Sequence, residues 1–205
     1  EGKSIYYLTN NDSKNTYLYV SKLSKLNLHV NENSIISPIH VIIDWIKQNN
    51  IKKIFILGVK ELVDEIEKKT DVNNTSDNPD LIIVAYDKEL TYQKLETACE
   101  LINRGVPYYL SHIDIFCPTL KGNMPDCGAI GILIEKTTGK KSINNFGKPS
   151  DLMADYISNI LHKEINKTVV GDRIHTDIEL GKKLGANTVL VCSGEYQAST
   201  DKNHS

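Results

Sequence analysis

"TVVGDRIHTDIELG", residues 168–181, decides how the rest of the chain reads. β-branched residues run into Gly171-Asp172 as a strand ends at a turn, and the following stretch 177–184 reads as helix. Strand, glycine turn and helix together make a βα unit. The unit carries two aspartates, Asp172 and Asp177, where capping a helix needs one at most.

Outward from this stretch the same alternation recurs. Strand-like runs lie at 4–8, 53–57, 81–85, 107–110, 168–170 and 188–192. Helical stretches lie at 14–26, 39–48, 60–69, 91–104, 150–161 and 177–184. Strands separated by helices predict an α/β fold with a parallel sheet. The apolar runs are continuous rather than alternating, which predicts a sheet covered on both faces. Ser37-Pro38 marks a helix start. The polar, Asn-rich 71–80 reads as a loop, and 136–141 as a turn after the apolar run Ile130–Ile134. A second module inserted between about 38 and 145 fits the pattern, because the most chemistry-like motifs lie outside that interval.

Bulk composition narrows the function classes. Of 205 residues, 40% are hydrophobic, enough for a sizeable core. The net charge of −2 with interspersed signs gives no electrostatic case for nucleic acid or an anionic membrane. No apolar run is long enough to span a bilayer. Cys99, Cys117, Cys127 and Cys192 form no CxxC, and no histidine stands at zinc spacing from them. Cys192, in "TVLVCSG", reads as a buried thiol, and a Cys117–Cys127 disulfide is the minority alternative. These features predict a cytoplasmic protein.

Four stretches carry candidate chemistry, each with a plain structural reading beside it. In "YLTNNDSKN" (7–15), Thr9 and Asn10 follow an apolar strand and could form an anion pocket, or simply a turn and helix cap. In "NFGKPSDLM" (145–153), Lys148 could point a positive charge at a phosphate, or be a solvated turn lysine. Asp172 could bind a hard cation and Asp177 orient its water or the lysine, or both could serve the turn. In 112–129, His112 and Asp114 could touch substrate, with His112 equally readable as structural. Neither GxxxxGK[ST] nor GxGxxG is present, which argues against P-loop and dinucleotide folds. In order, the motifs supply an anion site, a positive charge and a metal-binding acid, the parts of phosphoryl transfer.

Taken together, "YLTNN" (7–11), "FGKPS" (146–150), "PDCGAIGILIEKTTGK" (125–140) and "VVGDRIHTDIELGKKLGANTVLVCSG" (169–194) resemble the haloacid dehalogenase superfamily. The resemblance is to its branch of NagD-like, 4-nitrophenyl-phosphatase and pyridoxal-phosphatase enzymes. It implies a Rossmann-like parallel-sheet core, residues 1–37 and 146–205, with an inserted α/β cap, 38–145. It implies a Mg2+-dependent phosphatase acting on a small-molecule phosphomonoester, such as a sugar phosphate or nucleoside monophosphate, and a homodimer through the cap. Thr9 and Asn10 would bind phosphate, Lys148 would neutralise charge, Asp172 would ligate magnesium and Asp177 would support it. His112 and Asp114 would face the substrate.

Two departures accompany the resemblance. The family's nucleophile lies in an Asp-x-Asp motif ahead of the Thr-Asn, and no DxD occurs in this chain. The expectation is a segment of a larger polypeptide whose aspartate lies upstream; a non-catalytic phospho-ligand binder is the alternative. His112 stands where relatives often carry Asn, which bears on substrate preference.

Overall fold

Leu81–Val84 (β5) is buried at all four positions, as a strand covered on both faces must be. The structure, a computed structural model, describes residues 2–12, 16–119, 121–161 and 166–194. It groups into two compact units, Glu1–Gly147 and Lys148–Ser205.

The first unit opens with β1 (Tyr7–Leu8), α1 (Thr16–Ser24), β2 (Ile35–Ile36) and α2 (Pro38–Gln48). β1 and β2 pair in parallel, and the Thr9 amide extends the pair by donating to Ile36 O at 3.0 Å. The expected core strand 4–8 is therefore shorter: Ile5 is 65% exposed and only Tyr7–Leu8 pair. At the start of α2, Pro38 takes a position where no amide hydrogen bond is needed. The Ser37 amide donates to His40 Nδ1 at 3.2 Å, and His40 Nε2 lies 3.1 Å from Thr16 Oγ1.

A four-stranded parallel sheet follows, built from β3 (Lys53–Leu57), α3 (Lys60–Lys69), β4 (Asn73–Asn74), β5, α4 (Tyr92–Asn103) and β6 (Tyr108–Leu110). Its strand order is β4-β3-β5-β6, with Ile54 opposite Leu81 and Ile82 opposite Tyr108. The sheet is the one the strand–helix alternation predicts, except that Asn73–Asn74 in the expected loop pairs as a short edge strand. Leu57, Ile82, Val84, Ala98, Leu101, Ile102 and Ile134 pack into one apolar cluster.

Beyond β6 the sequence reading misses a hairpin and a helix. β7 (Phe116–Thr119) and β8 (Gly122–Pro125) pair antiparallel, and α5 (Cys127–Thr138) follows. Every residue of β8 is exposed, so no buried face writes an alternation into it. The apolar run Ile130–Ile134 is the middle of α5, not a segment of its own. Segment 143–146 then runs beside β6, with Phe146 N–H donating to Leu110 O at 3.0 Å. Phe146 is fully buried and stacks on Tyr109, with Trp45 edge-on at 5.7 Å.

The second unit contains α6 (Asp151–Ile160), β9 (Thr168–Gly171), a helical turn Ile174–Ile178, α7 (Glu179–Lys183) and β10 (Asn187–Leu190). β9 and β10 pair in parallel, Val169 opposite Thr188. The strand expected at 168–170 forms but is not buried: Val170 is 62% and Val189 45% exposed, since the pair carries no third strand among the described residues. Cys192 is likewise exposed, lying in a bend beyond β10 rather than in the strand. Cys117 and Cys127 are both free thiols, so the minority disulfide does not form. No helix among the described residues is long and apolar enough to cross a membrane.

Candidate active site

The second unit answers why two acids follow the strand. Asp177 folds back over the turn that precedes it. Its Oδ2 accepts the amides of Asp172 and Arg173, both at 3.2 Å, and its Oδ1 accepts Lys148 Nζ at 2.6 Å. The side chains of Lys148 and Asp177 are only 12% and 10% exposed, so the pair is close to dry. A β-carbon on Gly171 would collide with the Asp177 side chain, so only glycine lets the carboxylate reach the amides. Asp172 itself stands at the end of β9, half-buried, its carboxylate against Gly194. The two acids thus separate into a turn-closing group and a strand-end carboxylate.

The first unit holds the Thr-Asn turn. Asn11 N–H donates to Thr9 Oγ1 at 3.1 Å, a local hydroxyl turn at the end of β1. Asn10 is 7% exposed and its Nδ2 donates to Asp114 Oδ2 at 3.2 Å, across 104 residues of sequence. Asp114 N–H in turn donates to His112 Nδ1 at 3.3 Å. The structure therefore joins three expected site residues, Asn10, His112 and Asp114, in one contact chain.

Around His112 lie Asp126, from the same 112–129 stretch, and Asp12, which sequence reasoning did not select. Nε2 of the fully buried His112 is 3.3 Å from Asp126 Oδ1 and 3.8 Å from Asp12 Oδ1. Asp126 caps α5 by accepting the Cys127 amide at 2.8 Å. Asp12 is completely buried, and both of its oxygens, with Ser111 Oγ and His112 Nε2, lack a hydrogen bond within bonding geometry among the described residues. Asp12 carried no sequence signal, because an acid in "TNND" reads as a turn residue. Close packing is required here as well: a β-carbon on Gly147 would stand 2.5 Å from His112 Cβ and 2.9 Å from Asn10 Oδ1.

Burial pushes the Asp12 carboxyl above its ordinary value of 3.8, against the opposing pull of His112. Asp126, Cys127, Tyr19 and Tyr86 are the other titratable groups that interact with it. The Cys127 thiol is pushed up to about 12 by burial, which makes it a poor nucleophile. A raised acid holds its proton in the folded state after the unfolded chain has released it. Stability from this group is thus full below 3.8 and falls as pH rises through the folded value. Asp12→Asn is expected to unfold at a higher temperature than wild type at neutral pH, with the difference vanishing below about pH 4. Thermal melts across pH check this; a variant less stable at neutral pH contradicts it.

Residues 1–70 match the family described as haloacid dehalogenase-like hydrolase, and residues 145–205 one described as HAD-hydrolase-like. The 4-nitrophenylphosphatase of Thermotoga maritima is 34% identical, with a TM-score of 0.87 over 95% of this chain and 75% of that one. The chain belongs to the haloacid dehalogenase-like hydrolases. A 5'-nucleotidase of Bacillus subtilis is 25% identical, covering 94% of this chain and 75% of its own length. An acid sugar phosphatase of Staphylococcus haemolyticus is 25% identical, covering 92% of this chain and 72% of that protein. The turn after β1 offers a hydroxyl and an amide, and the turn after β9 offers two aspartates, one of them paired with Lys148 from the segment ahead of α6.

The donor set also bears on a metal. No group of three or more His, Cys, Asp or Glu among the described residues could hold an ion by itself. Magnesium is usually held by one or two carboxylates, with phosphate oxygens and water completing its shell. Asp172, a hard oxygen donor at a strand end, fits one place in such a shell.

Proposed function

We propose that this hydrolase is a magnesium-dependent, cytoplasmic phosphatase of a small-molecule phosphomonoester such as a sugar phosphate or nucleoside monophosphate. That it is a phosphomonoester hydrolase follows from its family and its relatives. The observation carrying the finer reading is the turn after β9, where Lys148 is held by Asp177 while Asp172 ends the strand.

Each residue then has a task set by its chemistry. Thr9 and Asn10 bind phosphate oxygens through hydroxyl and amide donors. Lys148, fixed at 2.6 Å from Asp177, keeps its charge in one place and offsets charge on the phosphoryl group. Asp177 orients the lysine and closes the turn that carries Asp172. Asp172 would hold magnesium, and the bound ion would supply charge neutralisation at the phosphoryl oxygens. Asp114, beside Asn10, takes part in substrate recognition, with His112 behind it. Within this reading residues 38–145 are the inserted cap, and the exposed Phe116 and Met124 of the β7–β8 hairpin support a homodimer through it.

The test is a panel of phosphomonoesters assayed with the full-length protein for phosphate release with and without magnesium. Turnover of at least one member, lost on chelation and restored by magnesium, is expected. Phosphate binding without any turnover would favour the non-catalytic reading.

A further inference from the structure

The buried cluster behind Asn10 has a job that neither phosphate binding nor metal binding uses. His112 Nδ1 accepts the Asp114 amide at 3.3 Å, which places the ring proton on Nε2. Nε2 faces Asp126 at 3.3 Å and Asp12 at 3.8 Å, and all of this lies at the fully buried end of the side chain. A buried carboxylate is costly to leave unpaired, and His112 and the Ser111 hydroxyl are donor side chains beside Asp12. The opposite face of the ring carries the Asp114 amide, and Asp114 Oδ2 takes the Asn10 amide. The two ring nitrogens thus face different ways: one toward buried acids, the other toward the Thr9–Asn10 turn.

We propose that His112 is a positioning residue for Asn10, acting through Asp114, with its Nε2 side facing Asp12 and Asp126. It touches no substrate itself. The segment it sits in is also clamped from the helix side: Gly128 N–H donates to Asp114 O at 2.8 Å and Asp126 N–H to Ile115 O at 2.9 Å. A β-carbon on Gly128 would strike Ile113 O, so α5 and the 112–115 segment meet backbone to backbone. The proposal rests on the reading of Asn10 as a phosphate ligand.

Two variants separate the nitrogens. His112→Ala removes both contacts. His112→Asn keeps an acceptor that can take the amide two residues on, as short amide side chains do in turns, but leaves Asp12 and Asp126 without Nε2. With 4-nitrophenyl phosphate as probe, His112→Ala is expected to raise KM about tenfold while changing kcat less than about threefold, the signature of lost binding. His112→Asn is expected to return KM to within about threefold of wild type while remaining less stable than wild type to heat. The Asn10 side-chain amide signals in a 1H–15N spectrum should move in His112→Ala and stay near their wild-type position in His112→Asn. Should His112→Ala not fold, the His112→Asn variant alone still decides, through its KM and its Asn10 signals. The proposal is overturned if His112→Asn shows displaced Asn10 signals, if His112→Ala leaves them in place, or if the purified protein holds a stoichiometric divalent metal lost with Asp12→Asn. The spectrum needs no turnover, so a protein that hydrolyses nothing on the panel would sink the proposed function and leave this test intact.

Discussion

Replacing Asp172 with asparagine is expected to lower phosphatase turnover by roughly a hundred- to a thousandfold, because a metal supplies several kcal/mol to the transition state and about 1.4 kcal/mol is tenfold. Asparagine keeps the shape of the side chain against Gly194 and the end of β9, so the fold is expected to survive. What it removes is the anionic oxygen that a hard cation requires. The turn itself is closed by Asp177, which the substitution leaves alone. The checks are kcat at saturating magnesium, the apparent magnesium affinity and the thermal midpoint. Wild-type turnover with unchanged magnesium dependence would remove Asp172 from the metal site. A collapse of stability alongside activity would make it a structural residue instead.

The second large effect concerns Lys148. Lys148→Met is expected to cost about 3 kcal/mol of stability, the lower end for a broken buried pair, because both side chains keep slight exposure. The loss comes from Asp177, which would keep two amide donors but lose the 2.6 Å ammonium contact. Neutralising the acid as well should recover part of the loss, so Lys148→Met/Asp177→Asn is expected to be more stable than Lys148→Met alone. Urea unfolding of the single and double variants measures this. Strict additivity would mean the two side chains do not depend on each other. Phosphate release is expected to fall in both variants, since neither carries the charge that faces the phosphoryl group.

Parts of this structure were readable in the residues because their partners are close in sequence. The βα alternation of 53–110 is written in short apolar runs separated by helical stretches, and the sheet follows from it. The 171–177 turn was likewise readable as two acids following a glycine. Helix α5 was not, because "CGAIGILIEKTT" carries two glycines and apolar residues on several faces, so no single period stands out. The β7–β8 hairpin contains Pro118 and Pro125 and buries little, which erases the usual strand signal. The link from Asp12 to His112 was hidden for a different reason. Asp114 and Asp126 share the 112–129 stretch with His112, but Asp12 lies 100 residues away and only the fold brings it to the imidazole.

The difference between local and distant contacts also sets an order of assembly. The Asp177 carboxylate reaches the Asp172 amide across 5 residues, whereas the Asn10 amide reaches Asp114 across 104. Closing the longer loop costs about 3 kcal/mol more chain entropy, by the logarithmic dependence on loop length. The turn that carries the strand-end carboxylate can therefore organise from its own neighbourhood while the chain is still largely unfolded. The asparagine turn has to wait until β6 and the start of α5 are in place. In a partly denatured chain, the two halves of the chemistry would mature at different times, the turn around Asp177 first and the Asn10 contact last.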